Sequence, residues 1–218
     1  MAKRLCKKCI LLSFVAIVAG ATGFWASTKL SPSPQSLEEL QSTLKSATVL
    51  PQGFRQLPEF SLIDHTGAEV NRNQFDDQWS MVFVGYTFCP DVCPITMAIL
   101  EQTRNKLLEQ GLETIPQLVF LSVDPERDSS ARIGEYINYF GGNIVGLTGN
   151  QGDIDKVVRS IGAVYIHAPD KAENPNYLVD HSSGVFLVGP DTSLRAVLSA
   201  PHVADVLAQD FTLIVENS

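Results

Sequence analysis

The chain has 218 residues, of which 44% are hydrophobic and 18% charged, a composition that excludes a disordered chain and is typical of a globular fold. The net charge is −8, and four of the sixteen basic residues lie within the first eight positions, so the remainder carries twelve basic against twenty-four acidic residues. Such an acidic surface disfavours nucleic acid and anionic lipid as partners. Four cysteines are too few for a fold built on disulfides.

The N-terminus has the pattern of a membrane-targeting segment. Residues 1–8 are basic, and residues 9–28 form an uncharged run of 20 residues, about the length that spans a bilayer. We interpret 9–28 as a transmembrane anchor, with a secretory signal, suggested by the small residues Ala19–Gly20–Ala21, as the alternative. The positive-inside rule keeps the basic segment in the cytosol and exports the rest. Cys6 and Cys9 have no second ligand pair nearby, so we interpret them as incidental thiols.

A linker and one domain are predicted to follow. Residues 29–57 contain Pro32 and Pro34 with flanking serines, which is typical of a linker, and within them Ser36 can cap a short helix. Residues 58–218 form the predicted domain.

Apolar runs and helical patterns alternate along this domain. The predicted elements are a β-hairpin at 58–71, a strand at 80–88, a helix at 94–110, a strand at 117–123, a helix opened by Asp128 and Ser129, a strand at 143–147, a helix at 152–161, a second hairpin with arms 163–167 and 184–188, a strand at 194–199 and a final helix from Pro201. This order predicts an α/β sandwich around a mixed sheet with an N-terminal β-hairpin. Two cysteines between the first long strand and the first long helix suggest a thioredoxin-like arrangement.

The stretch VGYTFCPDVCPIT carries the most specific chemical signal in the chain. Pro94 suits the first turn of a helix, so Cys93 is predicted at the helix N-terminus and Cys89 in the turn before it. Unpaired amides and the positive end of the helix dipole favour a thiolate there. Three intervening residues give a wider loop than the CxxC of thiol–disulfide oxidoreductases. A redox disulfide between Cys89 and Cys93 and a metal held by both sulfurs therefore both remain open.

A two-thiolate metal site needs a further ligand, and histidine is the natural candidate. His65 and His202 are predicted at the surface. His181 and His167 flank a long insertion, and the position of His181 just before an apolar strand favours it over His167. Two thiolates with one imidazole suit copper or zinc, and a structural zinc site would require a fourth ligand. The residues therefore favour copper, as Cu(I) or Cu(II).

Three blocks give the chain a resemblance to a known family. YTFCPDVCP, LSVDPERD and YLVDHS ahead of FLVGPD resemble the signature blocks of the Sco/SenC copper chaperones. The resemblance implies a thioredoxin-like fold, a copper site formed by Cys89, Cys93 and His181, and delivery of copper to the copper site of cytochrome c oxidase. It leaves His167 as a surface or loop residue. Asp124 and Asp128 are expected to shape the loop beside the site without binding metal, and Asp128 can cap a helix.

The resemblance also implies partners and a location. The partners are the copper-bearing subunit of the oxidase, a thiol reductant that keeps Cys89 and Cys93 reduced, and another copper chaperone. The expected location is a bacterial inner membrane with the domain in the periplasm, because no transit-peptide pattern precedes the apolar run; the mitochondrial intermembrane space is the alternative. The competing functions are a thiol–disulfide oxidoreductase that reduces the oxidase's cysteines, and redox or copper sensing at the same site.

Overall fold

A computed structural model describes residues 36–141 and 143–218. The predicted basic segment 1–8, the anchor 9–28, residues 29–35 of the linker, and Cys6 and Cys9 lie outside this part of the chain. No helix within the described ranges is both long and apolar enough to cross a membrane. Residues Leu37–Ser218 form one compact unit.

The compact unit alternates strands and helices as the sequence predicts. In chain order the elements are α1 (Leu37–Thr43), β1 (Ala47–Val49), β2 (Leu62–Asp64), β3 (Glu69–Val70), a 3₁₀ helix (Arg72–Phe75), β4 (Ser80–Gly85), α2 (Val92–Glu109), β5 (Gln117–Ser122), α3 (Ser130–Asn138), β6 (Ile144–Gly149), α4 (Gln151–Ser160), β7 (Tyr165–His167), β8 (Val179–His181), β9 (Val185–Val188), β10 (Leu194–Leu198) and α5 (Ala204–Glu216).

A mixed sheet of eight strands organises the fold, in the order β1-β10-β9-β4-β5-β6-β2-β3. Strands β4, β5 and β6 are parallel, and their neighbours on both sides are antiparallel. All six residues of β4 are buried, and successive side chains of a strand point to opposite faces, so both faces of the sheet are covered. The predicted α/β sandwich is therefore confirmed. The turn that contains Cys89 begins at the end of β4, in the middle of the main sheet.

The predicted N-terminal hairpin is present as β2 and β3, with Leu62 opposite Val70. Asp64 closes the turn, because its carboxylate accepts hydrogen bonds from the backbone amides of Thr66 and Ala68. Gly67 has a φ of 90°, a conformation that favours glycine.

The second predicted hairpin is wrong in its pairing. Strand β7 pairs with β8 in a separate two-stranded sheet, whereas β9, the predicted arm, lies in the main sheet between β4 and β10. The four residues of β9 are all buried, as is typical of a strand inside a sheet that is covered on both faces. The short and partly polar β8 follows an insertion of eleven residues, 168–178, and gives no clear strand pattern in the sequence.

The predicted linker is also wrong from Leu37 onward, because α1 and β1 belong to the compact unit. Strand β1 adds to the edge of the main sheet by pairing with β10. The buried carboxylate of Asp210 on α5 accepts hydrogen bonds of 2.8–2.9 Å from the backbone amides of Lys45, Ser46 and Ala47, and from the hydroxyl of Ser46. A carboxylate far along the chain thus fixes a segment whose own sequence resembles a linker.

We predict that Asp210→Ala destabilises the protein by about 3 kcal/mol, because three backbone amides and a hydroxyl lose a buried acceptor. For a domain of this size the melting temperature should fall by roughly 6–12 °C. Thermal unfolding followed by circular dichroism measures the change.

Asp205→Ala on the same helix is the matched control. Asp205 is exposed and pairs with Lys106 at the surface, so its loss should leave the melting temperature nearly unchanged. Equal melting temperatures for the two variants would contradict the role assigned to Asp210.

Candidate metal centre

The two cysteines occupy the positions predicted for them. The chain leaves the sheet after Gly85 and enters α2 at Val92, so Cys89 lies in the intervening turn and Cys93 in the first turn of the helix. The side chain of Asp91, the N-cap residue, makes no capping hydrogen bond, and the backbone amide of Cys93 lies 3.5 Å from Sγ of Cys89. The sulfur therefore takes the place of the usual capping oxygen at the positive end of the helix.

The thiols of Cys89 and Cys93 are free, and each changes the pKa of the other. The hydrogen bond from the Cys93 thiol lowers the pKa of Cys89 to about 4, with further help from the backbone amides of Asp91 and Cys93. The same hydrogen bond, together with burial, raises the pKa of Cys93. The two thiols therefore titrate as a coupled pair, in which Cys89 is the more acidic partner.

His181, at the end of β8, completes the cluster. Its Nε2 lies 3.2 Å from Sγ of Cys93, and its Nδ1 lies 3.0 Å from the carbonyl oxygen of Ser182. A carbonyl can only accept, so Nδ1 donates to Ser182, and in the neutral imidazole this leaves the lone pair of Nε2 on the side of the sulfur. The rings of Phe83 and Tyr86 meet the imidazole edge to face at 5.7 and 5.9 Å and restrict its orientation.

The donor atoms of Cys89, Cys93 and His181 lie within 4.8 Å of one another, the one group of this kind found among residues 36–141 and 143–218. The predicted grouping is therefore present. Two sulfurs and one imidazole nitrogen form a soft donor set, suited to copper or zinc, and each side chain has its donor atom directed at the others. Cys93 is buried, while Cys89 and His181 are half-buried, so the cluster is accessible from the side of Cys89 and His181.

A buried carboxylate supports the turn before Cys89. Asp128 accepts hydrogen bonds from the backbone amide of Thr87 at 2.9 Å, from its hydroxyl at 2.6 Å and from the hydroxyl of Ser122 at 2.6 Å. Burial raises the pKa of Asp128. The expectation that Asp128 caps a helix is wrong, because Ser129 is the N-cap of α3 and accepts from the amide of Arg132.

The other histidines lie outside the thiol cluster. His65 accepts a hydrogen bond from the amide of Gly146, and Nε2 of His202 contacts the carbonyl of Ser183. His167 is a half-buried strand residue rather than a surface or loop residue. Its ring packs between those of Tyr165 and Tyr177, and burial lowers its pKa.

Gly85 is a site residue that the sequence analysis missed. A Cβ atom added there would lie 2.7 Å from Sγ of Cys93 and 3.0 Å from the ring of Phe120. Only glycine lets the sulfur lie directly on the end of β4. The signal was available, because an isolated glycine at the end of an apolar strand marks a close approach of other atoms to the backbone.

These features define a thioredoxin-like protein in which a turn at the start of a helix supplies two thiols and an inserted hairpin supplies an imidazole. The family model described as SCO1/SenC matches residues 50–216, and the chain belongs to this family.

Individual relatives agree with this assignment. The chain is 36% identical over 182 residues to the mitochondrial SCO2 homolog of Bos taurus, a match that covers 83% of this chain and 65% of that protein. The match thus spans somewhat less than two thirds of the relative's length. The structure of Arabidopsis thaliana ScoI with copper bound is 30% identical, with a TM-score of 0.68 over 74% of this chain and 98% of that one. Yeast Sco1 with copper bound is 26% identical, with a TM-score of 0.70 over 75% and 90%.

We predict that Gly85→Ala displaces the side chain of Cys93 and destabilises the protein by about 1–3 kcal/mol, as overpacking of a dense core does. The melting temperature should fall, and Cys93 should be alkylated faster under native conditions. Thermal unfolding and mass spectrometry of the alkylated peptides measure the two effects.

Gly134→Ala is the matched control, because the added Cβ on α3 would meet its nearest atom, a backbone oxygen of His65, at an ordinary 3.5 Å. Alanine also favours a helix over glycine, so this variant should be as stable as the parent or more stable. Wild-type stability and Cys93 reactivity in Gly85→Ala would refute the close approach.

Proposed function

We propose that the protein is a membrane-anchored copper chaperone that binds copper through Cys89, Cys93 and His181 and delivers it to the copper site of cytochrome c oxidase during assembly. The observation that carries the proposal is the convergence of two sulfurs and one imidazole nitrogen within 4.8 Å of one another. Two relatives of the same fold, from Arabidopsis thaliana and yeast, are named with copper bound, which supports copper over zinc. The choice of the oxidase as recipient rests on the sequence blocks that resemble the Sco/SenC chaperones.

The metal-free cluster is prepared for binding. The pKa of Cys89 is about 4, the Cys93 thiol has the higher pKa, and Nε2 of His181 lies 3.2 Å from Sγ of Cys93. Metal binding must expel only the second thiol proton, because a metal takes the thiolate form of each sulfur. Three ligands leave copper an accessible side, and soft ligands from a recipient protein can bind there before the donor releases it.

The location and partners follow from the same proposal. Residues 9–28 anchor the chain, and the domain lies on the side of the membrane opposite to the basic segment 1–8, in the periplasm or, alternatively, the intermembrane space. Such compartments oxidise thiols, so the function requires a reductant for Cys89 and Cys93. Another copper chaperone supplies the metal, and the copper-bearing subunit of the oxidase receives it.

A thiol–disulfide oxidoreductase is the second candidate, favoured by the low pKa of the half-buried Cys89 beside a second free thiol. A thiolate of this kind attacks a disulfide of the substrate, and the second thiol then resolves the mixed disulfide. The reaction uses both sulfurs and has no need of His181. Copper binding and dependence on His181 therefore separate the two functions.

We predict that His181→Ala weakens Cu(I) binding at least about a hundred-fold, because even partners that merely orient a ligand contribute ten- to a hundred-fold. The reduced full-length protein is titrated in detergent against a chromophoric Cu(I) chelator. All variants carry Cys6→Ser and Cys9→Ser, so that Cys89 and Cys93 are the remaining thiols.

His202→Ala is the matched control, because His202 is also half-buried and bonds to a backbone carbonyl, and its loss should leave Cu(I) affinity unchanged. If His181→Ala still bound Cu(I) as tightly as the parent, the imidazole of His181 would not be a copper ligand. Absence of copper binding in the parent, together with fast reduction of a disulfide substrate, would favour the oxidoreductase.

A further inference from the structure

The hairpin that carries His181 is not part of the main sheet. Strands β7 and β8 pair with each other in a separate two-stranded ladder, in which Tyr165 lies opposite His181. On the β7 side, the hydroxyl of Tyr165 bonds to Asp155 and Gln151 of α4. The β8 side follows the insertion 168–178, so the position of His181 depends on how that insertion is held.

Arg127 holds the end of this insertion. Its Nη1 donates hydrogen bonds to the carbonyl oxygens of Pro175 at 3.2 Å and Tyr177 at 3.0 Å. Its guanidinium lies 3.5 Å from the centre of the Tyr177 ring, and its Nε donates to the buried carboxylate of Asp124 at 2.5 Å. The hydroxyl of Tyr177 donates to the same carboxylate, also at 2.5 Å. Arg127, Asp124 and Tyr177 therefore all contact one another, and Tyr177 lies only four residues before His181 in the chain.

The same guanidinium also faces the cysteine turn. It lies 4.8 Å from the centre of the Phe88 ring and 5.6 Å from that of Tyr86. Phe88 precedes Cys89 directly, and Tyr86 packs edge to face on the imidazole of His181. Arg127 is thus in contact with both segments that supply metal ligands, while being no ligand itself.

We propose that Arg127 is a positioning residue that sets the distance between His181 and the two cysteines; the inference rests on the proposed function of the cluster. Arginine suits this task because its planar fork donates several hydrogen bonds in fixed directions and stacks on aromatic rings. A lysine keeps the charge beside Asp124, but its single ammonium group cannot serve Asp124, both carbonyls and the ring of Tyr177 together.

A double-mutant cycle separates positioning from general stabilisation. The parent, Arg127→Lys, His181→Ala and the double variant, all with Cys6→Ser and Cys9→Ser, are titrated with Cu(I) against a chelator. Arg127→Lys should weaken binding about ten-fold when His181 is present and by no more than about two-fold when it is absent. An equal loss in both backgrounds would show a merely structural role and overturn the proposal.

A second readout uses the metal-free protein. In Arg127→Lys the amides of Tyr165–His167 and Val179–His181 should exchange hydrogen faster, whereas those of Ser80–Gly85 should be unchanged. Unchanged exchange in the hairpin would also overturn the proposal. If Arg127→Lys does not fold, Tyr177→Phe replaces it, because this change removes the hydroxyl on Asp124 and keeps the ring.

Lys171→Gln is the matched control. Lys171 belongs to the same insertion, lies 5.4 Å from the centre of the Tyr177 ring and pairs with the exposed Glu126. Its loss should change neither copper affinity nor exchange in the hairpin; changes as large as those of Arg127→Lys would refute a specific role for Arg127. If His181→Ala binds copper as tightly as the parent, the proposed function fails. If His181→Ala weakens Cu(I) binding, but Arg127→Lys weakens it equally with and without His181, only the positioning role of Arg127 fails.

Discussion

The start of α2 imposes the constraint on which the site depends. The first amides of a helix have no acceptor within the helix, and here the Cys93 amide meets the sulfur of Cys89 instead of a side-chain oxygen. The helix therefore stabilises a thiolate at its positive end. The hydrogen bond from the Cys93 thiol contributes most to the low pKa of Cys89, and the Cys93 sulfur can lie against the end of β4 because Gly85 has no side chain.

The other parts of the site surround the start of α2. Asp128 fixes the turn that carries Cys89, by binding both the amide and the hydroxyl of Thr87. The imidazole comes from a hairpin outside the main sheet, and Phe83 and Tyr86 limit its rotation. The thiols thus lie where the centre of the main sheet leads into α2, whereas the third donor belongs to a separate two-stranded ladder. This difference makes the contacts of the hairpin as important to the site as the donor atoms.

Much of this architecture could be predicted from local sequence patterns. Apolar runs predict β4 and β5, and Pro94 predicts the helix start beside Cys93. The residues alone favoured His181 over His167 only weakly, and the family resemblance supplied the choice. Local patterns failed where distant residues decide: Asp210 turns an apparent linker into an edge strand, and β9 is placed in the sheet by its pairing with β4 and β10. The role proposed for Arg127 was equally hidden, since two of its acceptors, the carbonyls of Pro175 and Tyr177, lie 48 and 50 residues away along the chain.

The separation of 88 residues between Cys93 and His181 has a consequence for folding. Contacts so distant along the chain form only after most of the loop-closure entropy has been lost, so the three donors meet late in folding. An unfolded chain offers the two thiols at short range but not the imidazole in place. A metal held by all three donors in the proposed site therefore binds the native state selectively and adds to its stability through mass action. Cargo loading and resistance to unfolding are then coupled, and release of the metal returns the domain to its lower intrinsic stability.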